Sequence, residues 1–188
     1  METFVENTMS IMPLGLSHIV LHVRNIEESH RFWTEVVGLR HVGSRGPTPE
    51  QPNALTMRFY VGDRGENKNH HDVALIEMPM LPAPTPESPA SFHHLAIAFP
   101  GRQPWLDHLA YLQQRGIEFE RRVEHGMTHS LYIRDPNGYG IELLYDMPKE
   151  VWEDDLNAAL NYLEDKPTAG PAALEDRVDG IPVFTARP

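Results

Sequence analysis

The chain has 188 residues, enough for one domain of good size or for two small modules. Its net charge of −11 argues against a nucleic-acid or anionic-membrane partner, and the absence of cysteine excludes disulfides, thiolate metal ligands and cysteine nucleophiles. No apolar run approaches the ~18 residues of a membrane span, and the N-terminus lacks a signal-peptide pattern, so we expect a cytoplasmic protein.

The first half of the chain predicts a β-α-β-β-β series that follows a loose arm at residues 1–14. Its first strand runs from Leu16 to Val23, and strand alternation places His18 and His22 on the same face. Asn25 is a suitable N-cap for a helix that reaches about Val37. Three more strands are expected, over residues 39–42, 54–61 and 72–78.

A proline-rich segment separates this half from a second β-α-β-β-β series. The second series comprises strands at 93–99 and 117–123, a helix at 104–115 and a hairpin at 128–145. A helix over about 148–163 and an extended tail complete the chain. We therefore divide the chain into an arm (1–14), a first module (15–80), a connector (81–91), a second module (92–146) and a C-terminal helix and tail (147–188).

The hairpin carries the first indication of chemistry. Two runs of β-branched, aromatic and aliphatic residues flank the turn sequence Asp135-Pro136-Asn137-Gly138. The second run carries Glu142 between Ile141 and Leu143. A carboxylate that is buried without a partner costs several kcal/mol, so Glu142 is expected to face water, a cation or a metal.

The two modules also match as an internal repeat. The segment Ser17-His18-Ile19-Val20-Leu21 parallels His93-His94-Leu95-Ala96-Ile97, and Ala74-Leu75-Ile76-Glu77 parallels the strand around Glu142. His18 is therefore equivalent to His94, and Glu77 to Glu142. A single strand histidine is usually structural, but two at one register position, with a glutamate, indicate a metal site. Two imidazoles and one carboxylate suit mononuclear non-haem Fe(II), and Zn²⁺ or Mn²⁺ would also accept them.

These motifs resemble the vicinal-oxygen-chelate superfamily, which includes glyoxalase I, fosfomycin and bleomycin resistance proteins and extradiol dioxygenases. The resemblance covers about residues 14–150. It implies an α+β fold in which two tandem βαβββ modules form an open barrel-like sheet around a metal site. The C-terminal helix and extended tail would be additions to that fold.

Within the superfamily, the chain is most similar to type I extradiol (catechol 2,3-) dioxygenases. Its segment His70-His71-Asp72-Val73-Ala74-Leu75 resembles the one that carries their acid–base histidine, which implies that role for His71, with His70 as an alternative. The pair His93-His94 resembles their iron-binding strand. The segment from His125 to Tyr132 resembles the one that carries their other active-site residues, with His129 as an alternative to His125. The resemblance thus implies the metal ligands His18, His94 and Glu142, and the catalytic residues His71, His125 and Tyr132.

The implied function is an Fe(II)-dependent ring cleavage of a catechol with O₂, as in aromatic hydrocarbon catabolism, with Mn(II) as an alternative metal and a homo-oligomer as the expected assembly. Two other functions stay open. Glu77 lies where glyoxalase I-like isomerases or lyases supply a fourth ligand. A non-catalytic binding protein of the resistance type would hold no metal tightly. His71, His125 and Tyr132 favour the dioxygenase.

Overall fold

The computed structural model describes residues 16–65, 70–85, 92–177, 180 and 182–185. The predicted arm and part of the connector lie outside these ranges. In chain order the strands are β1 (Ile19–Val23), β2 (Arg40–Arg45), β3 (Met57–Val61), β4 (Val73–Glu77), β5 (Leu95–Ala98), β6 (Arg121–His125), β7 (Thr128–Arg134), β8 (Gly140–Asp146) and β9 (Leu163–Lys166). The α-helices are α1 (Ile26–Arg31), α2 (Arg102–Gln114), α3 (Lys149–Trp152) and α4 (Leu156–Leu160).

The described strands form two mixed sheets, ordered β1-β4-β3-β2 and β5-β8-β7-β6-β9. In each sheet a parallel pair, β1 with β4 or β5 with β8, joins the first and last strands of one module, and the remaining neighbours are antiparallel. The α+β class and the tandem βαβββ order are therefore confirmed. The described strands do not close into a barrel.

The helix of the first module begins at the predicted cap. The Asn25 side chain accepts hydrogen bonds from the backbone N–H groups of Glu27 and Glu28. After α1 the chain makes one π-helical turn over Phe32–Val36, which buries Phe32 and Trp33. Gly38, at φ +88°, then turns the chain toward β2, a conformation that favours glycine.

The hydrophobic core lies between the helices and one face of each sheet. In the second module, the indole N–H of Trp105 on α2 donates to the Leu143 carbonyl at 2.9 Å, which fixes the helix across β8. Because side chains alternate along a strand, every second residue of each strand lies on the opposite face of its sheet, away from this core. The largest fully buried apolar side chains are Trp33, Tyr60 and Leu75 in the first module, and Trp105, Leu109, Leu112, Leu131, Ile133, Ile141 and Leu143 in the second.

The C-terminal region differs from the prediction of one helix over 148–163. The helix is divided into α3 and α4, because the Asp155 side chain caps α4 by accepting from the Ala158 N–H at 2.9 Å. The chain then forms β9, an unpredicted edge strand that pairs antiparallel with β6. The predicted strand at 117–123 begins only at Arg121.

Candidate metal centre

The β7–β8 hairpin positions the first group of predicted site residues. At its turn, the Asp135 carboxylate accepts from the backbone N–H groups of Asn137 and Tyr139, both at 2.8 Å, and Gly138 adopts φ +86°. The resulting register places Tyr132 directly opposite Glu142. The turn chemistry of the sequence thus determines which side chain faces the carboxylate.

Four of the predicted site residues form one hydrogen-bonded group, which we call the second-module cluster: His94, His125, Tyr132 and Glu142. The Tyr132 hydroxyl donates to Glu142 Oε1 at 2.8 Å, and His94 Nε2 lies 3.0 Å from Glu142 Oε2. His125 Nε2 lies 3.2 Å from the Tyr132 hydroxyl. Because the only proton of that hydroxyl goes to Glu142, His125 Nε2 has to be the donor in its contact with Tyr132.

The donor set of this cluster fits a divalent cation. Glu142 is buried, and the imidazole of His94 faces it. Two ligand atoms about 2.1 Å from one metal, at right angles to each other, lie about 3.0 Å apart. The 3.0 Å separation of His94 Nε2 and Glu142 Oε2 matches that spacing. Burial, and then the adjacent Glu142, raise the pKa of Tyr132, so its hydroxyl keeps its proton at neutral pH.

A cavity of about 640 Å³ lies in front of the cluster, which is the size range of small-molecule sites. Its lining combines apolar rings with charged and imidazole groups, so it can accept an aromatic ligand that also carries polar atoms. The lining residues are Phe92, His93, His94, Glu120, Arg121, Tyr132, Ile133, Arg134, Gly138 and Gly140.

The remaining predicted histidines form a first-module cluster: His18, His70 and His71. The ring centroids of His18 and His71 are 4.5 Å apart, and Nδ1 of His70 lies 2.6 Å from Nδ1 of His71. Burial lowers the pKa of His71, and the charges of His70 and His18 lower it further, against an opposing contribution from Asp72. His71 is therefore a neutral imidazole at neutral pH, able to accept a proton.

Among the described residues, the two clusters contribute to no common group of three ligand atoms. In the described part of the chain, ligand atoms of Glu124, His129 and Asp176 lie within 4.8 Å of one another, and no such group unites His18 with Glu142. The structure thus brings His94 and Glu142 together and leaves His18 with His71.

The buried group of Glu124, His129 and Asp176 was not anticipated from the sequence, although it has the residue types of a metal site. Its geometry favours an ion network instead, because two guanidinium groups already supply the positive charge that a metal would bring. Asp176 accepts from four side chains: Arg102 Nε at 2.8 Å, Arg122 at 3.1 Å, His129 Nδ1 at 2.7 Å and the Tyr145 hydroxyl at 2.8 Å. We interpret this group as the anchor of the C-terminal segment. Its signal in the sequence is the pair of charged residues, Arg122 and Glu124, on the helix-facing side of β6.

Glu77 occupies a different environment from its repeat equivalent. Its Oε1 accepts a hydrogen bond from the Ile26 N–H at 3.0 Å, at the first residue of α1. A carboxylate at a helix N-terminus satisfies an otherwise unpaired N–H and interacts favourably with the helix dipole. Glu77 therefore has a structural partner, whereas Glu142 faces two of the predicted site residues.

Comparison with known proteins is consistent with this architecture. The sequence profile of the Glyoxalase/Bleomycin resistance protein/Dioxygenase superfamily matches residues 15–143. The chain belongs to this superfamily. The match ends close after Glu142, so the segment that carries α3, α4, β9 and Asp176 lies outside it.

Curated relatives of this superfamily domain include dioxygenases and lactoylglutathione lyases. Biphenyl-2,3-diol 1,2-dioxygenase 3 of Rhodococcus globerulus is 34% identical over 140 residues, which is 73% of this chain and 66% of the relative. The manganese-dependent 2,3-dihydroxybiphenyl 1,2-dioxygenase of Geobacillus genomosp. 3 is 28% identical, with 91% and 48% covered. Lactoylglutathione lyase of Pseudomonas putida is 24% identical, with 70% and 85% covered. The chain therefore spans less than two thirds of the length of these two dioxygenases.

Solved structures of the superfamily share the fold. The glyoxylase/bleomycin resistance protein/dioxygenase domain from Frankia sp. EAN1pec has a TM-score of 0.56 at 22% identity, and the match covers 73% of this chain and 100% of that domain. At this identity the likeness supports the architecture alone. Separately, none of the helices in the described part of the chain is both long enough and apolar enough to cross a membrane.

Proposed function

We propose that this chain is an extradiol dioxygenase that uses Fe(II), or Mn(II) in its place, to cleave the ring of a catechol-type diol with O₂. The observation that carries the proposal is the second-module cluster: Glu142 and His94 lie at metal-ligand spacing, and His94 and Tyr132 line the cavity of about 640 Å³. The names of two dioxygenase relatives, both of which act on biphenyl diols, support an aromatic diol as the substrate class.

The ligands that we assign to the metal are His18, His94 and Glu142. When bound, the metal would supply the Lewis acidity that lowers the pKa of a substrate hydroxyl and the redox capacity that the use of O₂ requires. Three protein ligands leave positions for a diol and for O₂. Both reactants would then be held next to each other, which lowers the entropic part of the barrier.

His71 is the residue that we assign to proton transfer. Its lowered pKa keeps the imidazole neutral near pH 7, so it can accept a proton from a substrate hydroxyl and return it later in the reaction. Because Nδ1 of His71 lies against His70, we assign this exchange to Nε2. The contact between the rings of His71 and Phe59, at 5.1 Å, holds the imidazole in place.

Tyr132 and His125 have a positioning role in this proposal. The Tyr132 hydroxyl orients Glu142, and His125 in turn orients the Tyr132 oxygen. Both side chains are on the same face of the sheet as Glu142. Tyr132 is the register partner of Glu142 on β8 and of Arg121 on β6. His125 follows Arg121 by four residues on β6, an even number of strand steps, so it points to the same face. A diol in the cavity would therefore meet the Tyr132 phenol, whose oxygen is held by His125.

A second candidate function is a glyoxalase I-like isomerase or lyase, which the likeness to lactoylglutathione lyase favours. That activity would recruit Glu77 as a fourth ligand and would need no O₂. The hydrogen bond from the Ile26 N–H to Glu77 supports a structural role for this carboxylate, and hence the three-ligand site. His71, His125 and Tyr132 also have no evident task in an isomerase.

The test is an oxygen-uptake measurement on protein that is purified anaerobically and loaded with Fe(II). With catechol or 2,3-dihydroxybiphenyl we expect about one O₂ consumed per diol and a yellow ring-cleavage product, since a dioxygenase incorporates both oxygen atoms of O₂ into the product. Glu142→Ala should lose the iron. His71→Phe should keep the iron and lose most of the turnover. Iron-loaded protein that is inert toward every diol, or that converts an α-hydroxy thioester anaerobically, would overturn the proposal.

A further inference from the structure

A row of three side chains crosses the second sheet from the second-module cluster toward the outer strands. Glu142 on β8 is the register partner of Tyr132 on β7, and Tyr132 is the register partner of Arg121 on β6. Register partners point to the same face of a sheet, so Arg121 lies on the face that carries Glu142. Because neighbouring strands are about 4.8 Å apart, the backbones of Arg121 and Glu142 are about 10 Å apart.

Two arginines line the cavity of about 640 Å³, and they differ in how many of their N–H groups are already bonded. Arg134 is saturated, because Nε and Nη2 donate to the two carboxylate oxygens of Glu120 at 2.6 and 2.7 Å and Nη1 donates to the Gly138 carbonyl at 3.0 Å. Arg121 donates through Nε to Asp165 Oδ1 at 2.7 Å. In the described part of the chain, the two Nη groups of Arg121 have no hydrogen-bond partner.

Asp165 holds Arg121 from the side that faces away from Glu142. The sheet order places β9 beyond β6, at the outer edge, and Asp165 is the register partner of Val123 on β6. Val123 is two residues from Arg121, so Asp165 is a diagonal neighbour of Arg121 on the same face. Solvent screens an ion pair as exposed as this one, which therefore contributes little to stability. Its effect is to hold the guanidinium by Nε, and the Nη groups stay available to the cavity.

This tether is not part of the matched superfamily segment. The profile of the superfamily covers residues 15–143, which includes Arg121 but ends before β9 and Asp165. The C-terminal segment of this chain thus adds a residue that fixes the orientation of a cation in the cavity. An orienting contact at that place points to recognition of a ligand.

We propose that Arg121 binds a carboxylate of the substrate, so that the substrates of this chain are aromatic diols that carry a carboxylate substituent. This inference rests on the proposed function, in which the diol oxygens are held at the metal beside Glu142. A ring held there extends past Tyr132 toward β6, which brings a carboxylate on the ring to Arg121. The two Nη groups then donate to its two oxygens, the paired geometry in which arginine recognises planar anions.

The charges around the cavity agree with an anionic substituent. Glu120 is the carboxylate of the lining, and Arg134 already neutralises it. Arg121 is therefore the lining cation, among the described residues, that keeps N–H groups for a ligand. The chain as a whole has a net charge of −11, which opposes the approach of an anion, so a local cation is needed to hold a carboxylate in the cavity. The apolar side chains of Phe92 and Ile133 line the same cavity and can contact the ring.

The experiment compares two diols that differ only in one substituent, 3,4-dihydroxybenzoate and 4-methylcatechol, on Fe(II)-loaded protein. A second pair, 2,3-dihydroxybenzoate and 3-methylcatechol, repeats the comparison with the substituent next to the diol. The carboxylate-to-methyl ratio of kcat/KM in oxygen uptake is compared between variants, because the intrinsic reactivity of each ring cancels in that comparison. Arg121→Gln should lower this ratio about tenfold or more in at least one pair, as expected for the loss of hydrogen bonds between charged groups. Anaerobic calorimetry on Mn²⁺-loaded protein should show a matching loss of affinity for the carboxylated diol.

Arg31→Gln is the matched control, because it removes one positive charge at an exposed position of α1 that does not line the cavity. Its ratios should equal those of the wild type. Arg121→Gln should also bind Mn²⁺ with the wild-type stoichiometry, and loss of the metal would contradict the assignment of Arg121 to the substrate.

The outcomes separate this inference from the proposed function. Equal ratios for wild type and Arg121→Gln, an equal fall in Arg31→Gln, or a wild type that cleaves only the methylated diols would overturn this inference and leave the proposed function standing. A wild-type protein that cleaves none of the four diols would instead overturn the proposed function, and this inference with it.

Discussion

The Tyr132 hydroxyl donates to Glu142 Oε1 at 2.8 Å, directly across the β7–β8 register. The other oxygen of the same carboxylate faces His94 at 3.0 Å. One phenol therefore determines how the carboxylate presents its second oxygen. Tyr132 thus orients the carboxylate of Glu142 through one oxygen, and the other oxygen is the one that would bind the metal. Because different residues perform the two roles, mutations can test them independently.

Replacing Tyr132 with phenylalanine removes the orienting hydroxyl and keeps the ring. Outer hydrogen bonds to metal ligands are typically worth a factor of about 10 to 100 in metal affinity. We expect Tyr132→Phe to weaken Mn²⁺ binding by about that factor, measured by calorimetry, without a change in fold. Tyr162→Phe is the control, because that hydroxyl donates to the exposed Glu164 at 3.0 Å, away from the cluster. Equal Mn²⁺ affinities of wild type and Tyr132→Phe would contradict the role assigned to the hydroxyl.

Glu77 distinguishes the two candidate functions. Its carboxylate accepts from the Ile26 N–H, so Glu77→Ala should cost about 1 kcal/mol in the free energy of unfolding, because this N–H at the start of α1 loses its acceptor. Glu77→Gln keeps an acceptor and should cost less. Both variants should retain the full Mn²⁺ stoichiometry and the oxygen uptake of the wild type. Loss of metal from both would favour the four-ligand isomerase.

Much of the fold could be predicted because its determinants are local. The Asn25 cap, the Asp135 to Gly138 turn and the strand alternation around His18 each act over a few residues. The repeat then placed His94 and Glu142 on adjacent strands, and the structure has them in contact. What the repeat could not show is how the two modules face each other, because that depends on side-chain contacts such as the one between Tyr139 and His22.

The structure of the C-terminal segment could not be predicted from local sequence patterns, because it too depends on contacts between residues that are far apart in the sequence. Asp176 binds side chains that precede it by 31 to 74 residues, so no short motif identifies its partners. The split between α3 and α4 depends on a single cap at Asp155, which competes with the helical periodicity that predicted one long helix.

Asp176→Asn should be among the most destabilising conservative changes in the chain. Arg122 is 1% exposed and would keep its charge without its carboxylate partner, and breaking a buried pair in this way costs about 3–5 kcal/mol. The control is Asp165→Asn, since its ion pair with Arg121 is exposed to solvent and should contribute little to the free energy of unfolding. Urea unfolding followed by circular dichroism measures both. Similar urea midpoints for Asp176→Asn and Asp165→Asn would contradict the role of Asp176 as the anchor of the C-terminal segment.

The stabilisation from Asp176 should also depend on pH. Burial opposes the charged carboxylate, but hydrogen bonds from His129 and Tyr145 and the charges of His129 and Arg122 outweigh it and hold the pKa of Asp176 below its ordinary value. A carboxyl with a lowered folded-state pKa contributes its full stability above its unfolded-state pKa of about 4, and loses it as the pH falls through the folded-state value. The difference in unfolding free energy between wild type and Asp176→Asn should therefore stay constant down to about pH 5 and shrink below about pH 4. If the difference in unfolding free energy between wild type and Asp176→Asn did not change with pH, the lowered pKa of Asp176 would be contradicted.

Gly140 connects the packing of the second sheet to the metal site. A Cβ at this position would overlap the His93 carbonyl and lie 3.2 Å from the His94 Cβ, so Gly140→Ala should push the start of β5 away from β8. Overpacking of this kind costs about 1–3 kcal/mol. Because the shift separates His94 from Glu142, Mn²⁺ affinity should fall together with the urea midpoint. Gly46→Ala is the matched control, since a Cβ there meets nothing within 4 Å, and it should bind Mn²⁺ as the wild type does. If Gly140→Ala lost stability but kept wild-type Mn²⁺ affinity, the spacing of His94 and Glu142 could not be what the metal requires.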